Sequence, residues 1–129
     1  RGLGDVYKRQ ELLGARARNM LGMARAAGKI VLGFAKVDAA LSGGRATMVV
    51  SACDGARDGR AKLARKAKAA AVPVVELFSA EELGLAMGRQ DVIHSAVIEA
   101  QWAAKIDVAA HRWQVYIGAV PSGQVGGQK

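Results

Sequence analysis

Apolar positions along the chain fall into short blocks whose spacing alternates between helical and extended periods. Between Arg16 and Ala27, Met20, Leu21, Met23 and Ala24 recur at helical spacing while Arg16, Arg18 and Arg25 fall elsewhere on the wheel, which predicts a helix stopped by Gly28. Ile30-Val31-Leu32 is a short β-favouring run closed by Gly33, and Phe34, Val37 and Leu41 restore the helical period until Ser42-Gly43-Gly44 breaks it. A strand is expected over Ala46 to Ala52, where the unbroken run Met48-Val49-Val50 implies burial on both faces. Ala56 to Ala71 is rich in Ala and basic residues and predicts a helix with an exposed charged stripe. Pro73 to Phe78 reads as a third strand with Pro at its first residue. Ser79-Ala80-Glu81-Glu82 is a capping box that opens a helix to about Met87. A fourth strand over Val92 to Ile98 and a last helix over Ala100 to about Ile117 complete the order.

Strands alternating with helices indicate crossover connections and a sheet covered on both faces. The expected fold class is α/β, a three-layer α/β/α sandwich with a central sheet of about four strands. The domain is expected over residues 11–118. Residues 119–129, rich in Gly and Gln, are expected to form a disordered tail. Asp5-Val6-Tyr7-Lys8-Arg9-Gln10 matches one reading frame of a transposase sequencing adapter, so residues 1–10 are expected to lie outside the natural sequence. An upstream domain lost before Glu11 is compatible with that reading.

Composition narrows the class. The 129 residues are 51% hydrophobic and 23% charged, the balance of one folded domain, and no apolar run approaches the ~20 residues that span a bilayer. A single cysteine, Cys53, excludes an internal disulfide, and a reducing cytoplasm is the expected location. No membrane partner and a monomeric state are expected. The formal charge of +8 points instead to a polyanion. It is unevenly distributed, with 12 basic residues against four acidic ones over residues 11–75, and four against six over residues 76–129. The first half is therefore the candidate binding side. Arg57 to Lys68 reads equally well as the solvated face of a surface helix. Lys29 and Lys36 are expected to flank the turn at Gly33, where a helix N-terminus offers amides to phosphate.

Catalytic chemistry finds no constellation. His94 and His111 are the only histidines and lack metal-ligand spacing, Cys53 has no paired base in sequence, and the glycines form no phosphate loop. No cofactor, metal or enzymatic activity is expected. Trp102 and Trp113, eleven residues apart on one helix face, fit core or interface contacts better than base stacking.

The ordered motifs carry a family resemblance. Met20 to Gly33, then Val37, Ala40-Leu41, Gly44-Arg45-Ala46, Val49-Val50-Ser51-Ala52, Asp54, Val72-Pro73-Val74 and Glu82 to Gly88 resemble the kink-turn-binding ribosomal proteins, the archaeal L-seven-Ae type. The resemblance spans roughly residues 19–98 and is closest to the domain that follows a YlxR-type RNA-binding domain in bacterial proteins. It implies a non-enzymatic RNA-binding module, ribosome-associated or bound to structured RNA, that uses a basic face and two loops at one edge of the sandwich. The first contact region then comprises Lys29, Gly33, Phe34, Ala35, Lys36 and Arg45, and the second Gly88, Arg89, Gln90, Val92 and Ile93. Ala35 and Lys36 stand where the family has an Asn-Glu pair, and Ala39 where it has Lys, so phosphate contacts are implied more directly than readout of base edges. Arg89 is expected to stack on a base or reach a phosphate, with Val92 and Ile93 forming an apolar surface for an extruded base. The competing expectation is a protein-interaction or ribosome-docking domain that uses the Trp-bearing helix.

Overall fold

The computed structural model describes the backbone of residues 2–118 and the side chains of residues 14–111. Among the described residues nine elements follow in strict helix-strand alternation: α1 (Gly2–Ala26), β1 (Ile30–Leu32), α2 (Phe34–Ser42), β2 (Met48–Ser51), α3 (Arg57–Ala69), β3 (Val74–Val75), α4 (Ala80–Met87), β4 (His94–Val97) and α5 (Ala100–Gly118). The expected tail at 119–129 and the side chain of Trp113 lie outside the described residues.

The three-layer sandwich is present. Strand side chains alternate between the two faces of the sheet, as the period of 2 requires. Ile30, Met48, Val50 and Val97 face one cluster with Leu21, Leu83, Met87 and Ile106 of α1, α4 and α5. Val31, Val49 and Ala96 face the other, with Val37, Leu41, Leu63 and Ala67 of α2 and α3. Burying each of Leu21, Leu63 and Leu83 to 1% exposure or less stabilises the fold by about 1.5–3 kcal/mol per side chain. Gly22 lets α1 approach α4 so closely that a Cβ there would stand 2.6 Å from the Ala86 carbonyl oxygen.

The strand order is β1-β4-β2-β3. Pairing β2 with β3 is parallel, whereas β4 lies antiparallel between β1 and β2. β1, β2 and β3 therefore run in one direction, as crossover connections demand, and β4 alone runs against them. Strand lengths depart from expectation. Ala46, Ala52, Phe78 and Val92 are buried but lie outside the ladders, so the apolar runs that contain them exceed the hydrogen-bonded strands. At the N-terminus α1 extends back past Arg16 to Gly2. Glu11, Leu12, Leu13 and Ala15 are good helix formers, and the single Gly14 among them, at a cost of about 1 kcal/mol, does not stop the helix there.

Capping follows the sequence. Ser79 Oγ accepts from the Glu82 amide at 3.1 Å while Glu82 Oε1 accepts from the Ser79 amide at 2.9 Å, which completes the capping box of α4. Asp54 Oδ1 accepts the Ala80 amide at 2.9 Å, tying the loop after β2 to the same helix end. Gly88 then ends α4 in the left-handed region at φ 74°, as a C-terminal glycine does.

Candidate nucleic-acid interface

Two loops meet at the end of the sheet where β1 finishes and β4 begins. Gly33, the residue between β1 and α2, adopts φ 100° and ψ 149°, a conformation almost confined to glycine. Its amide donates to the His94 carbonyl at 2.9 Å, and its own carbonyl accepts from Val37 at 3.0 Å. The chain after Gly88 returns across this turn. Arg89 donates its amide to Gly84 at 2.8 Å, Val92 donates to Ala80 at 3.1 Å, and Ala52 donates to Ile93 at 2.8 Å. Gly84 permits that fold-back, since a Cβ there would lie 2.4 Å from the Gln90 carbonyl oxygen.

Between the two loops lies a groove of about 320 Å³ lined by Leu32, Gly33, Arg89, Asp91, Val92, Ile93 and His94. The structure thus brings together Gly33, Arg89, Val92 and Ile93 from the two contact regions implied by the resemblance. Ile93 is 39% exposed and offers an apolar shelf, whereas Val92 is 4% exposed and belongs to the core. The expectation that both supply an apolar surface to a base is corrected for Val92, because its side chain is packed into the core cluster and leaves little surface in the groove. Arg89 forms no ion pair with any described residue. Gly88 and Gln90 are exposed on the same loop but do not line the groove.

Phe34, Ala35 and Lys36 form the first turn of α2, exposed, with no side chain capping the helix. The Phe34 ring packs edge-on against His94, centroids 5.5 Å apart. Gly59 of α3 lies against both rings, where a Cβ would be 3.1 Å from His94 Nε2 and 3.7 Å from Phe34. His94 Nδ1 is buried without a hydrogen-bond partner among the described residues. Burial holds the imidazole pKa below its ordinary value, and the Arg60 charge lowers it further. Asp91 belongs to the second contact loop, whereas His94 and Leu32 are groove residues that the sequence alone did not single out for binding. The only signal for them was their adjacency to Gly33 and Ile93.

Lys29 and Arg45 sit elsewhere. Lys29 precedes β1, and the three residues of that strand separate it from Gly33, about 13 Å at strand rise. It pairs with Glu99 at 3.4 Å, beside the far end of β4. The expectation that Lys29 and Lys36 flank one turn is therefore corrected, since a strand places its two termini at opposite ends of the sheet. Arg45, in the loop before β2, lies toward the Lys29 end. Of the α3 cations, Arg60 pairs with Glu76 at 3.0 Å and Lys66 with Asp38, while Arg57, Lys62, Arg65 and Lys68 pair with no described residue.

Among the described residues no group of three His, Cys, Asp or Glu side chains could hold a metal ion, and no helix is long and apolar enough to cross a membrane. Cys53 is exposed and its amide donates to the Phe78 carbonyl at 2.8 Å. On α5, Trp102 packs against the core with Lys105 4.7 Å from its ring centroid, in line with a packing role.

No curated protein matches this sequence. Among solved structures, the chain is similar to a protein of unknown function from Bacillus halodurans, with a TM-score of 0.73 and 25% identity over 75% of this chain and 98% of that one. It is also similar to a 15.5kD RNA binding protein of Giardia lamblia, with a TM-score of 0.64 and 18% identity over 81% of this chain and 89% of the other. The sequence profile that includes the alternating elements and both loops matches residues 15–108, and the chain belongs to the ribosomal protein L7Ae/L30e/S12e/Gadd45 family.

Proposed function

We propose that this protein is a non-enzymatic RNA-binding module that holds structured RNA in the groove between the Gly33 turn and the 88–93 loop. One observation carries the reading: the Gly33 amide is bonded to the His94 carbonyl, so the two loops form facing walls of a single groove that holds the unpaired Arg89. Family membership and the fold shared with an RNA binding protein support RNA as the polyanion. The uncapped amides at the start of α2 can take a phosphate, with Lys36 beside them. Arg89 contacts phosphate or stacks, Ile93 supports an extruded base, and Asp91 can accept from an exocyclic amine. Ala35 and Ala39 offer no polar group, so affinity comes from phosphate more than from reading a kink-turn's base pairs. Association with a cytoplasmic ribosome and a monomeric state belong to the same reading.

Fluorescence anisotropy with a labelled RNA internal loop tests it. Lys36→Glu with Arg89→Glu should weaken binding at least tenfold at moderate salt, while Lys29→Glu, at the far end of the sheet, should stay within about twofold. Wild-type affinity should fall with salt at a slope of about −0.7 to −0.9 per neutralised phosphate. Equal affinity of the double variant and wild type would remove the groove from the RNA interface. The protein-docking alternative draws on the apolar groove between α1 and α5 at Met20, Val108 and Ala109, and it predicts no such salt slope.

A further inference from the structure

His94 lines the loop groove, and the Phe34 ring packed against it lines a second one. Between α2 and α3 runs a groove of about 460 Å³ whose lining includes Phe34, the buried Leu63, and the cationic side chains Lys62, Arg65 and Lys66. Positions 62, 65 and 66 fall on one helix face, so Lys62 and Arg65 sit about 5–6 Å apart at Cβ, near the repeat of a nucleotide backbone. The acid in the groove is already occupied, because Asp38 accepts from Lys66, which also donates to Ser42 Oγ at 3.0 Å. Lys62 and Arg65 pair with no described residue, and the groove's field is theirs.

We propose that RNA held in the loop groove continues past Phe34 into the α2–α3 groove, where Lys62 and Arg65 hold consecutive backbone phosphates. This rests on the RNA reading of the loop groove and lengthens its footprint. Charge complementarity selects the occupant: two cations without protein partners on one face fit a polyphosphate backbone, and Arg65 can grip a phosphate through two N–H groups. Phe34 contributes ring surface at the crossing, where a sugar or base edge can rest.

Two labelled RNAs separate this proposal from the one on which it rests. The short one is an internal loop flanked by two short stems, and the long one extends one of those stems by ten base pairs. The full chain should bind the long RNA more tightly. Lys62→Gln with Arg65→Gln should weaken the long RNA about tenfold, leave the short RNA within about twofold, and reduce the salt slope for the long RNA by roughly 1.4 to 1.8. Arg89→Glu should weaken both RNAs. Both substituted α3 residues are solvent-facing, and an unchanged circular dichroism melt would show the double variant folded. If the long RNA binds the double variant as it binds wild type, or if both RNAs lose equally, the phosphate track is wrong while the loop groove stands. Failure of wild type to bind either RNA overturns both readings.

Discussion

Phe34 and His94 meet edge to face, with ring centroids 5.5 Å apart and planes inclined at 79°. One ring comes from the first turn of α2 and the other from the first residue of β4, so the contact staples the two walls of the loop groove. Gly59 of α3 supplies the third side by having no Cβ to hold the rings away.

This contact sets a pH dependence of stability. The folded imidazole has a pKa below its ordinary value of 6.5, with burial first and Arg60 second as causes. The unfolded chain therefore binds this proton more readily than the folded one does, and protonation favours unfolding. Stability should be fully present above about pH 6.5 and fall as pH drops through the lowered folded pKa. Urea unfolding at pH 7.5 and pH 5.5 measures the difference, and His94→Gln should shrink it; an unchanged difference in that variant would assign the dependence to other groups.

Gly33→Ala should destabilise through the backbone alone. A Cβ at this position meets nothing within 4 Å, yet φ 100° and ψ 149° are strained for any L side chain. The expected cost is about 1–3 kcal/mol in urea unfolding. If the variant relaxes the turn instead, the Gly33 to His94 bond should lengthen, and hydrogen exchange at the Gly33 amide would speed up.

Gly84→Ala probes the opposite cause. In a helix interior alanine gains about 1 kcal/mol of propensity over glycine. Here the added Cβ would stand 2.4 Å from the Gln90 carbonyl oxygen and 2.9 Å from that of Arg89, both backbone atoms with no rotamer to escape into. Overpacking of this kind costs about 1–3 kcal/mol and should win. Thermal melting should show net destabilisation, with amide shifts concentrated at residues 88–92; a more stable variant would mean that the loop yields without cost.

Much of the fold was readable in the order of residues, and the exceptions have specific causes. The box at Ser79 and Glu82 and the stop at Gly28 are local, so they could be read directly. The pairing of β4 between β1 and β2 is not local, because Ser95 and Ala96 carry the same alternation whichever strand they meet. Apolar runs overstated the strands, since Ala52 and Val92 are buried as loop residues. Both loops of the candidate site could be placed through the family resemblance. The ring pair with Gly59 could not, because it joins positions 34, 59 and 94, which no short window contains.

The placement of β4 also bears on how the molecule is made. Among the described residues β1 has no ladder partner except β4, which lies more than 60 residues later in the chain. During synthesis β2 and β3 can pair as soon as Val75 has emerged, but β1 must wait for residues 95–97 before a single one of its cross-strand bonds exists. The sheet therefore closes from the middle and late, on a contact of long sequence separation, which is slow to form. The Gly33 turn and the loop before β4 acquire their mutual geometry in that same closing step, so a growing chain has no assembled groove until its last strand is in place.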